Sequence, residues 1–453
     1  MNYAEAKKTL EKHGQGHVLA FWGKLGAAER KALLEQIASI DFKELERCKA
    51  TLPTFAGGTD SAPAAKKAKA VAPKVHELKG KARDKAVAAG EAELRAGRVG
   101  VLLVAGGQGS RLGYDGPKGA YSIGPVTGAS LFHFHARKIL AMNVRYAVRI
   151  PFYVMTSEAN YAATVEHFEA NNHFGLDPED VIFFKQGMWP GMTPDGKIIL
   201  DAPGHIFMSP DGHGGMIAAL KKNGCFADMR RRGVTTLFYF QVDNPLVEIA
   251  DPAFIGLHAT SKSEYSLKLT AKRDPYEGLG MPVKRGGHFE LIEYTEMTEE
   301  MNTRRTPSGD LYFKFGSPAI HVFDRAFLEA EAAKPMTLHL AHKKIPQVQP
   351  DGTVLKPSEP NGYKFEKFIF DALPDAKSVA CMAFDRADEF SPVKNAEGKD
   401  SPATCRADLQ AKWRRLLAAA GVSLPDGMPL EIDPLYALDS SDVVSTGLLL
   451  TAD

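Results

Sequence analysis

Residues 101–124 read VLLVAGGQGSRLGYDGPKGAYSIG, an apolar run that stops at Ala105 and turns at once into glycine. The run over 99–105 is too short for a helix, rich in aliphatic residues and closed by a turn signal, so it predicts a buried strand. Gly106, Gly107 and Gly109 allow tight turning and a close approach of backbone N–H groups to an anion. Arg111 and Lys118 add two cations to the same loop, one a planar fork and one a point charge, both suited to phosphate oxygens. A plain strand-to-helix turn would explain the glycines but not Arg111 together with Pro117-Lys118-Gly119. Two other glycine motifs fail. A dinucleotide fingerprint needs glycine where Leu112 stands, and glycine arrives one residue late at Gly113. A P-loop fails because Lys118 lies between Pro117 and Gly119.

Working outward, residues 152–155, 181–184 and 235–242 are further strand candidates, with helical patterns over 131–142 and 161–171 between them. The alternation over about 98–345 predicts an α/β domain with a largely parallel sheet, whose ligands gather at the carboxyl ends of strands. Upstream, Leu10, Val18, Leu19, Trp22 and Leu25, then Leu33, Leu34 and Ile37, form helical stripes that read as packing surface. Residues 51–73, TLPTFAGGTDSAPAAKKAKAVAP, lack large apolar clusters and read as a connector; their lysines have no interleaved aromatics, so a nucleic-acid patch is the poorer reading. From about 346 Pro and Gly are frequent and strands short, and after 400 the stretch ADLQAKWRRLLAAAG is helical. The expected division is an N-terminal helical region 1–52, a linker 53–73, a catalytic domain 74–395 and a short C-terminal region 396–453.

The 453 residues carry a net charge of +1, with 44% hydrophobic and 25% charged residues, an ordinary globular composition that excludes a general nucleic-acid grip. Four cysteines, Cys48, Cys225, Cys381 and Cys405, form no Cys-x-x-Cys pair, which points to single thiols in a reducing compartment. No apolar leader and no membrane-length run are present, so the expectation is a cytoplasmic protein with no membrane partner.

The loop motif AGGxG[ST]RLGxxxPKG resembles the signature of the UDP-sugar pyrophosphorylases, and most nearly the eukaryotic-type UDP-N-acetylglucosamine pyrophosphorylases. FGLDPEDVIFFKQGM, DGKIIL, MSPDGHGG, VDNPLVEIADPAFIG, EYTEM, KPSEPNGYKFEKFIFD and DEFSPVKNAEGKD resemble that family's blocks in the family's order. The resemblance implies a Rossmann-like nucleotidyltransferase (GT-A-like) central domain with a mixed, largely parallel sheet, an N-terminal helical region and a small C-terminal domain. It implies a uridylyltransferase that joins UTP to a hexose 1-phosphate and releases pyrophosphate, with Mg²⁺ as cofactor and UDP-N-acetylglucosamine as the favoured UDP-sugar.

Residue by residue, Ala105, Gly106 and Gly107 match backbone contacts to uracil and phosphate, while Arg111 and Lys118 match groups on the leaving phosphates. Gln186 matches a uracil contact; its amide offers the donor and the acceptor that uracil's edge requires, although a loop glutamine is the plainer reading of the residue alone. Gly212 matches a uridine contact, and Asp243 the metal-binding aspartate; an isolated VDN would more simply mark a strand-to-turn transition. Lys364 and Lys394 match phosphate-side lysines, and Gly280 and Glu293 match sugar contacts. Phe368 and Phe370 match walls of the sugar pocket, and their alternation also reads as a strand packing into a core. Two positions depart from the N-acetylglucosamine pattern. His213 and Ser317 stand where that group usually carries asparagines facing the sugar, and Gly212-His213-Gly214 looks like the GHG of the UDP-glucose and broad-range enzymes. The sugar therefore stays open between N-acetylglucosamine, glucose and several hexoses. The C-terminal portion is short against the family pattern, which favours a monomer. A non-catalytic nucleotide-sugar binder would have less need of Arg111, Lys118, Asp243 and Lys364 together. A nicotinamide-dependent oxidoreductase requires an acidic residue about 20 positions past the glycines, where SLFHFHARKILAMN is basic and helical.

Overall fold

A computed structural model describes residues 1–52, 70–425 and 427–446. The apolar runs become the strands of one seven-stranded sheet: β1 (Val99–Val104), β2 (Phe152–Thr156), β3 (Val181–Lys185), β4 (Thr236–Gln241), β5 (Tyr265–Ala271), β6 (Phe315–Asp324) and β7 (Val379–Phe384). Their order is β7-β5-β6-β4-β1-β2-β3. β4, β1, β2 and β3 run parallel, as do β5 and β7, and β6 lies antiparallel between β4 and β5. β1 is buried along nearly its whole length, because a central parallel strand is covered on both faces and cannot alternate polar with apolar. In register, Leu102 lies beside Tyr153 of β2 and Tyr239 of β4. The carboxyl ends of β1–β4 therefore open at one edge, from which the glycine loop, Ser157, Gln186 and Asp243 all depart.

The chain packs as two compact units. One holds the sheet and consists of 65–186, 217–335 and 372–453. The helix Leu131–Tyr146, capped by the Ser130 hydroxyl accepting the His133 N–H at 3.1 Å, sends Leu131, Phe134, Ile139 and Met142 into its core. The helix Pro402–Ala419 adds Cys405, Leu409, Trp413 and Leu417, a one-face stripe, to that same core. Ile432, Ala437 and Val443 join it there, so the described part of 396–453 shares this core rather than building its own.

The other unit joins 1–64, 187–216 and 336–371. This corrects the expected division into consecutive stretches, and the reason is packing. The helices Tyr3–Lys12, Ala27–Ser39 and Phe42–Thr51 bury Leu10, Leu33, Ile37 and Leu45 against Trp189, Met192, Ile198, Ile206 and Phe365. Two glutamines clip them in place. Gln15 donates to Gly196 O at 2.8 Å and accepts from Ile198 N–H at 2.9 Å, and Gln36 does the same with Ile206 at 3.0 and 2.9 Å. Of the expected linker, 53–69 lie outside the described residues; Ala70 is buried, and Val71 bridges to Lys284 within the sheet-bearing unit. Among the described residues no helix is long and apolar enough to cross a membrane.

Candidate active site

The glycine loop closes on its own backbone. Gly109 N–H donates to Gly116 O at 2.9 Å, and Lys118 N–H donates to Gly107 O at 3.1 Å. The second bond folds Lys118 back under the loop, where its Nζ lies 3.3 Å from Asp243 Oδ2. Both side chains keep a small exposed fraction, 17% and 14%, so the pair is sheltered yet reachable. Gly119 has a packing reason to be glycine, since an added Cβ would fall 2.1 Å from the buried Phe132 ring. Gly119→Ala is expected to cost about 1–3 kcal/mol by overpacking and to displace Lys118. Denaturant titration checks this, and an unchanged denaturation midpoint would contradict the contact.

Gln186 packs its amide flat on Gly106, where a Cβ would lie 2.8 Å from its Nε2. Arg111 sits exposed on the turn Ser110–Leu112.

Asp243 is anchored by a segment far along the chain. Val393 N–H donates to Asp243 O at 2.8 Å, which puts Lys394 one residue from that contact. Asn244, buried and unforeseen from the sequence, donates to Glu389 O at 2.7 Å and accepts from Ser391 N–H at 3.1 Å. Its amide therefore laces the Asp243 segment to the Lys394 segment. Lys138 donates to Pro245 O and Val247 O, and Lys412 to Leu246 O, so three successive carbonyls are tied down. His135 Nε2 lies 3.0 Å from Val242 O; burial first, then Lys138, pulls its pKa to about 3, so the ring is neutral and donates.

The sugar-side candidates of this unit also converge. The hairpin of Met281–Arg285 with His288–Ile292 pairs Met281 with Ile292, so Gly280 and Glu293 leave its open end side by side. Ser317 N–H donates to Gly280 O at 2.8 Å. A register shift between Gly316 and Ile320, with Ala319 at a φ of 62°, bulges β6 at Ser317. Such bulges re-aim side chains, and nothing in the sequence announces this one.

Within the other unit, Gly212 has a φ of 81°, and a Cβ there would lie 2.5 Å from Lys367 O. His213 stacks on Phe368 at 5.3 Å and lies 5.6 Å from Phe370. His339 also stacks on Phe368, at 4.2 Å, and its Nε2 lies 2.8 Å from Asp371 Oδ2. Ile369 N–H donates to His213 Nδ1 at 3.1 Å. Burial, then His339, lowers the His213 pKa to about 4, so the ring is neutral and its remaining proton sits on Nε2 as a donor. The strand that the alternation of Phe368 and Phe370 left open is not there: the strand ends at Glu366, and Phe370 lies in the tight turn Ile369–Asp375, which stacks the rings on His213. Lys364 lies on that strand, Gly362–Glu366, with its Nζ 5.0 Å from the Phe207 ring.

Hard divalent cations take oxygen ligands, and Mg²⁺ commonly uses one or two carboxylates plus substrate phosphates. Asp243 fits that pattern, being a single sheltered carboxylate beside an amide loop. The one cluster of three ligating side chains among the described residues, Glu248, Asp251 and Glu389, is filled instead by Lys268, whose Nζ lies 2.7 Å from Asp251 and 2.5 Å from Glu389.

This edge of amides, a lysine and a carboxylate suits a nucleotide polyphosphate. Residues 63–400 match the family described as UTP--glucose-1-phosphate uridylyltransferase. A Homo sapiens protein named UDP-N-acetylhexosamine pyrophosphorylase-like protein 1 is 36% identical over 470 positions, spanning 97% of this chain and 92% of that one. The UDP-N-acetylglucosamine pyrophosphorylase of Saccharomyces cerevisiae is 37% identical over 348 positions, 74% of this chain and 73% of its own. The crystal structure of the uridine diphosphate N-acetylglucosamine pyrophosphorylase from Trypanosoma brucei in complex with inhibitor is similar, with a TM-score of 0.84 and 27% identity over 97% of this chain and 93% of that one. By sequence across most of its length, this chain belongs to the UTP--glucose-1-phosphate uridylyltransferase family.

Proposed function

We propose that this chain transfers the uridylyl group of UTP to a hexose 1-phosphate, with N-acetylglucosamine 1-phosphate the preferred acceptor. The observation that carries the reading is the Lys118–Asp243 pair, 3.3 Å apart, at the same sheet edge as the Gly106–Gly107 turn and Gln186. A phosphate oxygen of the sugar phosphate attacks the α-phosphorus of UTP in line, the bond from that phosphorus to the bridging oxygen breaks, and pyrophosphate leaves. The nucleophile is already anionic, so no side-chain base is needed, and catalysis rests on positioning and charge. Lys118 and Arg111 oppose the charge growing on the leaving group; Lys364 and Lys394 serve the phosphates. Ala105, Gly106, Gly107 and Gln186 hold the nucleotide, and the resemblance assigns Gly212 of the other unit to uridine. Asp243 would hold Mg²⁺, which supplies charge neutralisation at the phosphate oxygens when bound. Gly280, Glu293 and Ser317 in the sheet-bearing unit are assigned to the sugar by the resemblance, and so, within the other unit, are His213, Phe368 and Phe370. The preference for an N-acetylated sugar is supported by the names of the relatives. A cytoplasmic location goes with this reading, supported by four buried cysteines that form no disulfide.

A panel of sugar 1-phosphates with UTP and Mg²⁺, scored by the UDP-sugar formed, tests this. Absence of pyrophosphate release with every hexose phosphate would sink it. The neutral, Nε2-protonated His213 favours a second reading in which several hexoses are accepted, because a single donor can serve a hydroxyl or an acetamido oxygen alike. His213→Asn is expected to shift the ratio of kcat/KM values about tenfold towards the N-acetylated sugar. An unchanged ratio removes His213 from specificity.

A further inference from the structure

Asn160 precedes the helix Tyr161–Ala170, where an asparagine ordinarily turns its side chain onto the helix's own first N–H groups. Here it makes no such cap. The side chain is fully buried, and its Oδ1 accepts from the Ser157 N–H at 2.8 Å and the Ser157 hydroxyl at 3.0 Å. Its Nδ2 donates to Ala105 O at 2.8 Å and to Gly107 O at 3.2 Å. A helix cap has been given up so that one amide can grip both ends of the glycine turn.

The consequence lies in peptide geometry. In a trans peptide the C=O and the following N–H point to opposite sides. Pulling Ala105 O and Gly107 O towards Asn160 therefore turns the N–H groups of Gly106 and Gln108 the other way. Among the described residues neither of those N–H groups donates to any acceptor. We propose that Asn160 is the positioning residue of the phosphate cradle: it presets the loop amides, so that UTP does not have to order them. This rests on the reading of the loop as the UTP site. It gives a role to a residue outside the glycine motif, reached only through the fold.

Asn160→Asp keeps both acceptor bonds to Ser157 and loses both donors; Asn160→Ser loses the donors without adding charge. Calorimetric binding of UTP to the whole chain, with no sugar phosphate present, is expected to weaken roughly tenfold in both variants. In steady state the KM for UTP should rise by a similar factor while the KM for the sugar phosphate changes less than about twofold. UTP affinity equal to the parent in either folded variant overturns the proposal, as does an equal rise in both KM values. Should both variants fail to fold, Ser157→Ala removes one of the two Oδ1 partners and is expected to weaken UTP binding by about threefold in a folded protein; no change there overturns it too. A parent that binds no UTP would instead refute the functional reading, so the two failures are distinguishable.

Discussion

Lys118→Ala is expected to lower kcat/KM for UTP by a factor on the order of 10²–10³ while leaving the fold in place. Lys118 is fixed twice, by its own N–H on Gly107 O and by its Nζ at Asp243. A fixed charge aimed at a developing anion needs no reorganisation during reaction, which is why its loss falls on turnover. The effect on stability should be small, because both partners of the ion pair keep solvent contact and Asp243 can be hydrated once the ammonium is gone. Activity within threefold of the parent would remove Lys118 from the chemistry. A large fall in thermal midpoint would make it a structural residue instead.

The sheet and the glycine loop at its edge are legible in the sequence because both are local. The run over 99–105 announces a covered strand by its apolar content, and the glycines come directly after it. Lys118 and Asp243 lie far apart in sequence, yet each sits beside a strand end, and a parallel sheet gathers such ends. The grouping of the chain is not legible. Gln15 clips to Gly196 and Ile198 through bonds spanning more than a hundred residues, and no local pattern encodes them. Phe368 and Phe370 mislead because alternation is compatible with a tight turn whose aromatic rings stack on His213. Asn160 and Asn244 escape a sequence reading for a related reason. An asparagine near a turn looks like a turn former, and only the fold reveals that its amide reaches another segment.

Lys268→Met is expected to cost about 3–5 kcal/mol of stability, because it strips the cation from a buried cluster of carboxylates. Lys268 lies on β5 with no solvent exposure, bonded to Asp251 and to both oxygens of Glu389. Methionine fills similar volume, so lost packing contributes little and the deficit measures uncompensated charge. The sign with pH comes from the shifts. Burial alone would lower the Lys268 pKa, but Asp251 and Glu389 outweigh it and raise it above 10.5, so its stabilisation is present below that value and lost as pH rises through the higher folded one. Glu389 is raised above 4.5, first by burial, so its protonated form is favoured in the fold and its contribution fades as pH rises through the raised value. In the variant the Glu389 carboxyl should protonate more readily still. The gap in denaturation midpoint between parent and variant should therefore be largest near pH 8 and shrink towards pH 5. Because Glu389 O also accepts from Asn244, next to Asp243, the proposal that Asp243 holds Mg²⁺ adds that the loosened cluster should raise the Mg²⁺ concentration needed for half-maximal rate even where the variant remains folded. Equal midpoints at pH 8, or a gap that stays constant down to pH 5, would show that Lys268 does not hold this charge cluster together.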